Sequence, residues 1–286
     1  MPDSRAERRP LEGRFVSLAI LLTWLVSLPS VAHSEPVGSL RYRYVAGEST
    51  LYGLTLLQEG TVRIHGVSET VSTRITGQLV LTASSLSPEG GAALTVRLHD
   101  VAVERRIADR VLAGDEMAAS LMAQPMSWVV DGRGVTQQLS IGGRGSVVAM
   151  RVVEDTVLRS FPVFPERPLD GVEPWTEEAR APEGAPIDTV VTRTWQLGAI
   201  EGGERAMRGA VTVSLSGGGP GGAVVRGTSQ GTSGARFDVA AGQLDSLTVE
   251  SKLEVAGTRD GVEVMGQRMT TRVELRRVRP GRSEAD

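Results

Sequence analysis

The chain has 286 residues, 40% of them apolar and 23% charged, with a net charge of −3; this composition allows one large or two ordinary soluble domains. Without residues 1–34, which hold four Arg and three acids, the charge is −4, which excludes a dedicated nucleic-acid binder because phosphate contacts need a basic surface. There is no cysteine, so disulfides, thiolate metal sites, a cysteine nucleophile and a lipidated Cys are excluded; at 4% aromatics, the core is expected to consist mainly of Val, Leu, Ile, Ala and Met.

The N-terminus reads as a cleavable signal peptide over residues 1–34. Arg8, Arg9 and Arg14 form a basic region, Phe15 to Leu28 is an apolar run, and Ala32-His33-Ser34 offers small residues at the cleavage positions. The run is shorter than the roughly 18–20 residues that a membrane span needs. The mature chain is therefore expected to be secreted or periplasmic and not an integral membrane protein. An outer-membrane barrel is disfavoured, because such barrels need aromatic girdles and this chain has four Phe, three Tyr and four Trp.

Residues 36–160 read as a first β-rich half. Leu40 to Val45 and Thr70 to Ser84 alternate at period two, Ser49 to Ile64 is long and β-prone though interrupted by Gly53 and Gly60, and Ala92 to Glu104 reads as the next strand, with Gly66 and Ser87-Pro88-Glu89-Gly90-Gly91 as turns. Ile107, Val111, Ala118 and Leu121 then fall on one helical face, with Asp109 as cap and Pro125 as stop. This spacing predicts the one main helix, over about 107–123. Met126–Val130 and Val135–Ile141 flank the turn Asp131-Gly132-Arg133-Gly134, Gly142–Gly145 is a further turn, and Val147–Leu158 reads as the last strand of the half.

Residues 161–186 form a seam with six of the fourteen prolines. Phe161, Val163, Phe164, Leu169, Val172 and Trp175 are too apolar for a solvated tether, so the front portion is expected to pack. Thr176 to Pro186 is expected to be an exposed connection. Residues 187–279 resume the strands, with Trp195 as a core anchor, and 280–286 is a polar tail. The expected architecture is mainly β: two tandem antiparallel curved sheets or half-barrels. The strand, Asp and glycine-turn sequence at Trp128–Gly134 resembles that at Arg236–Gly242, which suggests that the halves are distant copies.

The opening LRYRYVAGE, the central FPVFPERPLDGVEPW and the late RFDVAAGQLDSLTVES resemble secreted bacterial proteins of unknown function that pair two β-rich halves across a Pro-rich seam. No catalytic residue comes with that resemblance. In layout each half is also similar to the sheet-and-helix half-barrels of periplasmic lipoprotein carriers, a likeness of fold alone.

Four motifs suggest chemistry and lack its context. Gly227-Thr228-Ser229-Gln230-Gly231 matches a nucleophile elbow, but a strand follows and no His lies downstream. Gly217–Gly222 matches a dinucleotide fingerprint, but it opens a β segment rather than a helix. His65 and His99 stand alone, whereas a zinc site needs three or four ligands. Glu166, Asp170, Glu173, Glu177, Glu178 and Glu183 are scattered through the seam rather than fixed as a carboxylate pair. No catalytic residue, metal or cofactor is expected. The leading expectation is a non-enzymatic binding module for a lipid or other apolar ligand, lined by Met117, Leu121 and Met122 where the helix covers the sheet. The alternative is a structural or protein-interaction module of the cell envelope with filled cores.

Overall fold

The computed structural model describes residues 39–123, 125–141, 153–154, 156–169, 173–180, 187–219 and 222–279. The signal-peptide segment, the tail 280–286, the Gly142–Gly145 turn, Asp170, Val172 and Glu183 lie outside these residues.

Alternating apolar residues build twelve strands. The first wing holds β1 (Ser49–Ile64), β2 (Val67–Leu86), β3 (Ala92–Ile107), β4 (Arg110–Leu112), β5 (Met126–Val130) and β6 (Thr136–Ile141). The second holds β7 (Trp175–Arg180), β8 (Ile187–Glu201), β9 (Glu204–Gly218), β10 (Val224–Asp238), β11 (Gln243–Arg259) and β12 (Val262–Arg277). Tight turns reverse the chain at His65-Gly66 and Asp260-Gly261, where both residues of each pair have positive φ, as primed hairpin turns demand.

The two wings form one antiparallel sheet. β1 pairs with β12 from Tyr52 opposite Arg277 to Ile64 opposite Met265. The strand order is β6-β5-β3-β2-β1-β12-β11-β10-β9-β8-β7, with β4 on the edge of β3. The sheet is curved and unclosed. The mainly β, curved-sheet expectation therefore holds, with both strand-rich runs in a single sheet.

The helix is shorter than its spacing predicts. α1 spans Asp115–Ala123. β3 continues to Ile107 and turns at Ala108 (φ 51°) into β4, which leaves Val111 73% exposed rather than on an apolar helical face. Asp109 lies in that turn and not at a cap. A Cβ at Gly114 would collide with the Val103 carbonyl, so the helix starts only beyond this close approach. The strand expected over Val147–Leu158 is also corrected in its described part, 153–154 and 156–158, the rest lying outside the described residues. Val157 N–H bonds the Val153 carbonyl, and a 3-10 turn follows at Leu158–Ser160. Val153, Val157 and Leu158 are all buried on this helical turn.

Leu40–Val45 is extended but joins no ladder. Tyr42 N–H bonds the carbonyl of Gly132, and Arg43 N–H bonds that of Gly242. The segment thus straps the two glycine turns whose sequences resemble each other. The front of the seam packs, as its composition predicts. Phe161, Phe164, Leu169 and Trp175 are buried, Phe164 N–H bonds the Arg133 carbonyl, and Trp175 Nε1–H donates to Val163 O at 2.8 Å. Thr176–Arg180 differs from the expected exposed connection, because it pairs with β8 as β7.

The strap and the seam fill the lower part of the concave face with aromatic rings. All nine aromatics beyond residue 34 meet there, through contacts such as Phe164–Phe237 (4.9 Å), Tyr42–Phe237 (5.3 Å) and Trp128–Phe161 (5.4 Å). The scarce aromatics are thus concentrated at one place, and the rest of the inner face carries rows of aliphatic and polar residues.

Candidate functional site

Residues directly opposed in an antiparallel sheet point to the same face. Followed from strand to strand, the register defines one row on the core-bearing inner face. From β4 to β7 it reads Leu112, Arg105, Thr73, Gln58, Thr271, Ser251, Gly231, Val211, Arg193 and Glu177. Seven of these ten side chains are polar. The row beneath is core, including Ile75, Leu56, Val273 and Trp195, each at most 1% exposed. The row above is apolar again, with Ile107, Val71, Met269, Leu253, Val213 and Val191, all half-buried. A polar belt thus divides a filled core from a half-buried apolar row, beyond which Val62, Val255 and Leu215 alternate with Glu69, Gln267 and Thr189.

The β7–β8 end of the belt carries an ion pair. Arg193 Nη1 lies 3.6 Å from Glu177 Oε1, with side chains 12% and 13% exposed. Trp195 Nε1–H also donates to Glu177 Oε1 at 3.3 Å. Burial pushes the Glu177 carboxyl above its ordinary value, against the pull of Arg193 and Trp195. Burial likewise lowers Arg193, and Glu177 partly offsets this. At the other end Arg105 is half-buried and has no ion-pair or hydrogen-bond partner among the described residues.

The inner face of β10 is a strip of small residues, Gly227, Ser229, Gly231, Ser233 and Ala235. A Cβ on Gly231 would collide with the Glu250 carbonyl, so glycine lets the sheet curl sharply here. The elbow-like motif is therefore mid-strand. Ser229 is buried on that strip, and the segment lacks the turn and helix that an elbow requires. The glycine loop 217–222 likewise leads into a strand.

The outward face has a hollow of about 650 Å³ near the tips. Arg63, Ser68, Arg226, Thr228, Glu254 and Arg268 line it, and Arg63 pairs with Glu263 while Arg268 pairs with Glu254. These charges are well exposed, so water screens them. A second hollow, of about 30 Å³, lies among Tyr42, Tyr44, Tyr52, Trp128 and Phe161, and has room for little more than a water.

Neither hollow is lined by the residues expected from the helix. Leu121 is fully buried in the core, Met117 packs against the core, and Met122 is 44% exposed. The seam acids do not converge either: Glu166 pairs with Arg133, Glu173 with Arg167 and Glu178 with Arg180. Among the described residues no group of three or more His, Asp or Glu could hold a metal. No described helix is long and apolar enough to cross a membrane. The belt escapes a linear reading because its ten members lie on ten different strands. Its trace in the sequence is a polar residue between two apolar ones at spacing two, as in Val191-x-Arg193-x-Trp195 and Met269-x-Thr271-x-Val273.

No protein-family model matches the chain, and no curated protein does. Among solved structures it matches lipovitellin, in a structure described as showing lipid–protein interactions, with a TM-score of 0.56 and 12% identity. The curled sheet is similar in fold to part of lipovitellin. The match covers 85% of this chain and 27% of the lipovitellin chain, and at that identity it shows the fold alone. Two Pseudomonas aeruginosa proteins, OccK5 (OpdH) and the outer membrane protein OprD, match over 83% and 85% of this chain and 100% and 96% of their own. Their TM-scores of 0.18 and 0.17, at 4% and 7% identity, carry no argument.

Proposed function

We propose that this chain is an exported, non-enzymatic binding module that holds an apolar or lipid-like ligand on the inner face above the polar belt. One observation carries the reading: the chain fills only the lower part of that face with its own aromatics and leaves the aliphatic row directly above the belt, Ile107, Val71, Met269, Leu253, Val213 and Val191, half-exposed. Burial of such surface is favourable by about 25 cal/mol per Å², so an acyl chain laid over this row gains affinity without directional contacts. The likeness to a lipovitellin structure described as showing lipid–protein interactions supports the reading at the level of fold. The N-terminal signal pattern supports export.

The test is solvent extraction of the exported protein, residues 35–286, followed by mass spectrometry. A lipid at near-stoichiometric yield is expected. Absence of any bound lipid, together with no uptake of added acyl probes, would overturn the proposal. A second reading, a protein-interaction module of the envelope, is favoured by the edge of β7, which among the described residues pairs only with β8. In that case Glu178→Pro on β7 would release a co-purifying protein while leaving lipid content unchanged.

A further inference from the structure

We infer that the ligand is an acyl chain with a single anionic carboxylate head, seated at Arg105, Thr73 and Gln58, with its chain running up the inner face toward the tips. This rests on the reading that the inner face holds a lipid.

Arg105, Thr73 and Gln58 are opposed in turn on the neighbouring strands β3, β2 and β1, which places each about 5 Å from the next and Arg105 about 10 Å from Gln58. All three are half-buried, and none has a hydrogen-bond or ion-pair partner among the described residues. Half-buried polar groups that lack a protein partner take water or a ligand. A guanidinium in such a place favours an anion, because sheltering an unpaired charge is costly. The belt's other arginine, Arg193, is already neutralised by Glu177. Among the described residues of the belt one unpaired cation therefore remains to balance one monoanion, and its planar fork of donors matches a carboxylate bidentately. The Thr73 hydroxyl and the Gln58 amide add two neutral donors beside it.

The row directly above suits the start of such a chain: Val71 and Met269 flank Gly60. Val62 follows between Glu69 and Gln267, and Ile64 between Val67 and Met265, so the path crosses one mixed row before it is apolar again at the tips. From Gln58 to the end of β1 at Ile64 the strand rises about 20 Å, somewhat more than the roughly 15 Å that a chain occupies in one membrane leaflet.

The experiment is calorimetric titration of folded residues 35–286 with dodecanoate, dodecanol and dodecyl phosphate. The wild type is expected to bind dodecanoate about tenfold more tightly than dodecanol, the worth of one charge-assisted hydrogen-bonded pair. Arg105→Gln should abolish that preference with dodecanol affinity unchanged, and Arg105→Lys should restore part of it. Thr73→Val, which leaves the charge in place, should weaken dodecanoate alone. Equal binding of acid and alcohol by the wild type, or a preference that survives Arg105→Gln, overturns the head-group assignment and leaves the apolar reading standing. Tighter binding of dodecyl phosphate than of dodecanoate overturns the carboxylate. Failure of all three probes overturns the apolar reading itself.

Discussion

The phenol of Tyr42 donates a hydrogen bond to the carbonyl of Pro162 at 3.0 Å. It joins the strap to the seam beneath the sheet, inside the ring cluster with Phe164 and Phe237. Tyr42→Phe keeps the ring and orphans a buried carbonyl, so a loss of about 1–2 kcal/mol is expected. Tyr42→Ala also empties the cluster and should cost about 3–5 kcal/mol. Urea unfolding of the two variants measures both. Equal losses would mean that the ring packing contributes nothing.

The three tyrosines of the chain, Tyr42, Tyr44 and Tyr52, all belong to this cluster. Burial pushes each phenol above its ordinary value. Each therefore contributes stability that is complete below the unfolded value of about 10 and is lost as pH rises through the folded values. Tyrosinate absorbance should stay absent at pH 11 in the folded protein and appear only as it unfolds. A smooth rise near pH 10 with the fold intact would show that the phenols are not enclosed.

Gly231 and Gly234 lie three residues apart on β10. A Cβ on Gly231 collides with the Glu250 carbonyl, whereas one on Gly234 meets nothing within 4 Å. Gly231→Ala should cost about 1–3 kcal/mol through overpacking. Gly234→Ala should be neutral or stabilising by up to about 1 kcal/mol, since glycine weakens a strand interior. Thermal melts of the pair decide whether the sheet is curled as tightly as this contact requires.

The Glu177 carboxyl is raised by burial despite Arg193. A raised acid binds its proton more tightly in the folded state, so its contribution is complete below the unfolded value of about 4.3 and is lost as pH rises through the folded one. Wild type should thus lose stability relative to Glu177→Gln between pH 4 and pH 7. A melting-temperature difference that is flat or opposite in sign over that range contradicts the assignment. Arg193→Met alone should cost about 3–5 kcal/mol by stranding Glu177, and Glu177→Leu/Arg193→Met less.

Much of the sheet was legible in the sequence. Alternation marked the strands, Gly66 marked a hairpin, and Trp195 stood out as an anchor, now fully buried. The helix start was misread because Ile107 and Val111 keep helical spacing by accident: they flank a hairpin turn. Leu40–Val45 announced its extended backbone but not its partners, which are glycine turns about 90 and 200 residues away in sequence. The belt was hidden for a stronger reason. Arg105 and Thr73 are opposed only because a register shift at Thr76–Gln78 resets the pairing of β2 with β3, and no local pattern encodes that shift. The helix residues Met117, Leu121 and Met122 carried a pocket expectation that rested on layout alone, and only the packed structure separates core filler from open surface.

Leu253 and Lys252 are adjacent on β11 and point to opposite faces. Leu253 lies in the apolar row above the belt, and Lys252 faces outward. Titration of Leu253→Glu and Lys252→Glu with an uncharged acyl probe, dodecanol, therefore decides whether the ligand lies on the inner face. Leu253→Glu should abolish binding while Lys252→Glu should leave it within about twofold of wild type, a change below about 0.5 kcal/mol. Unchanged binding in Leu253→Glu, with the fold intact by circular dichroism, would contradict a ligand on the inner face.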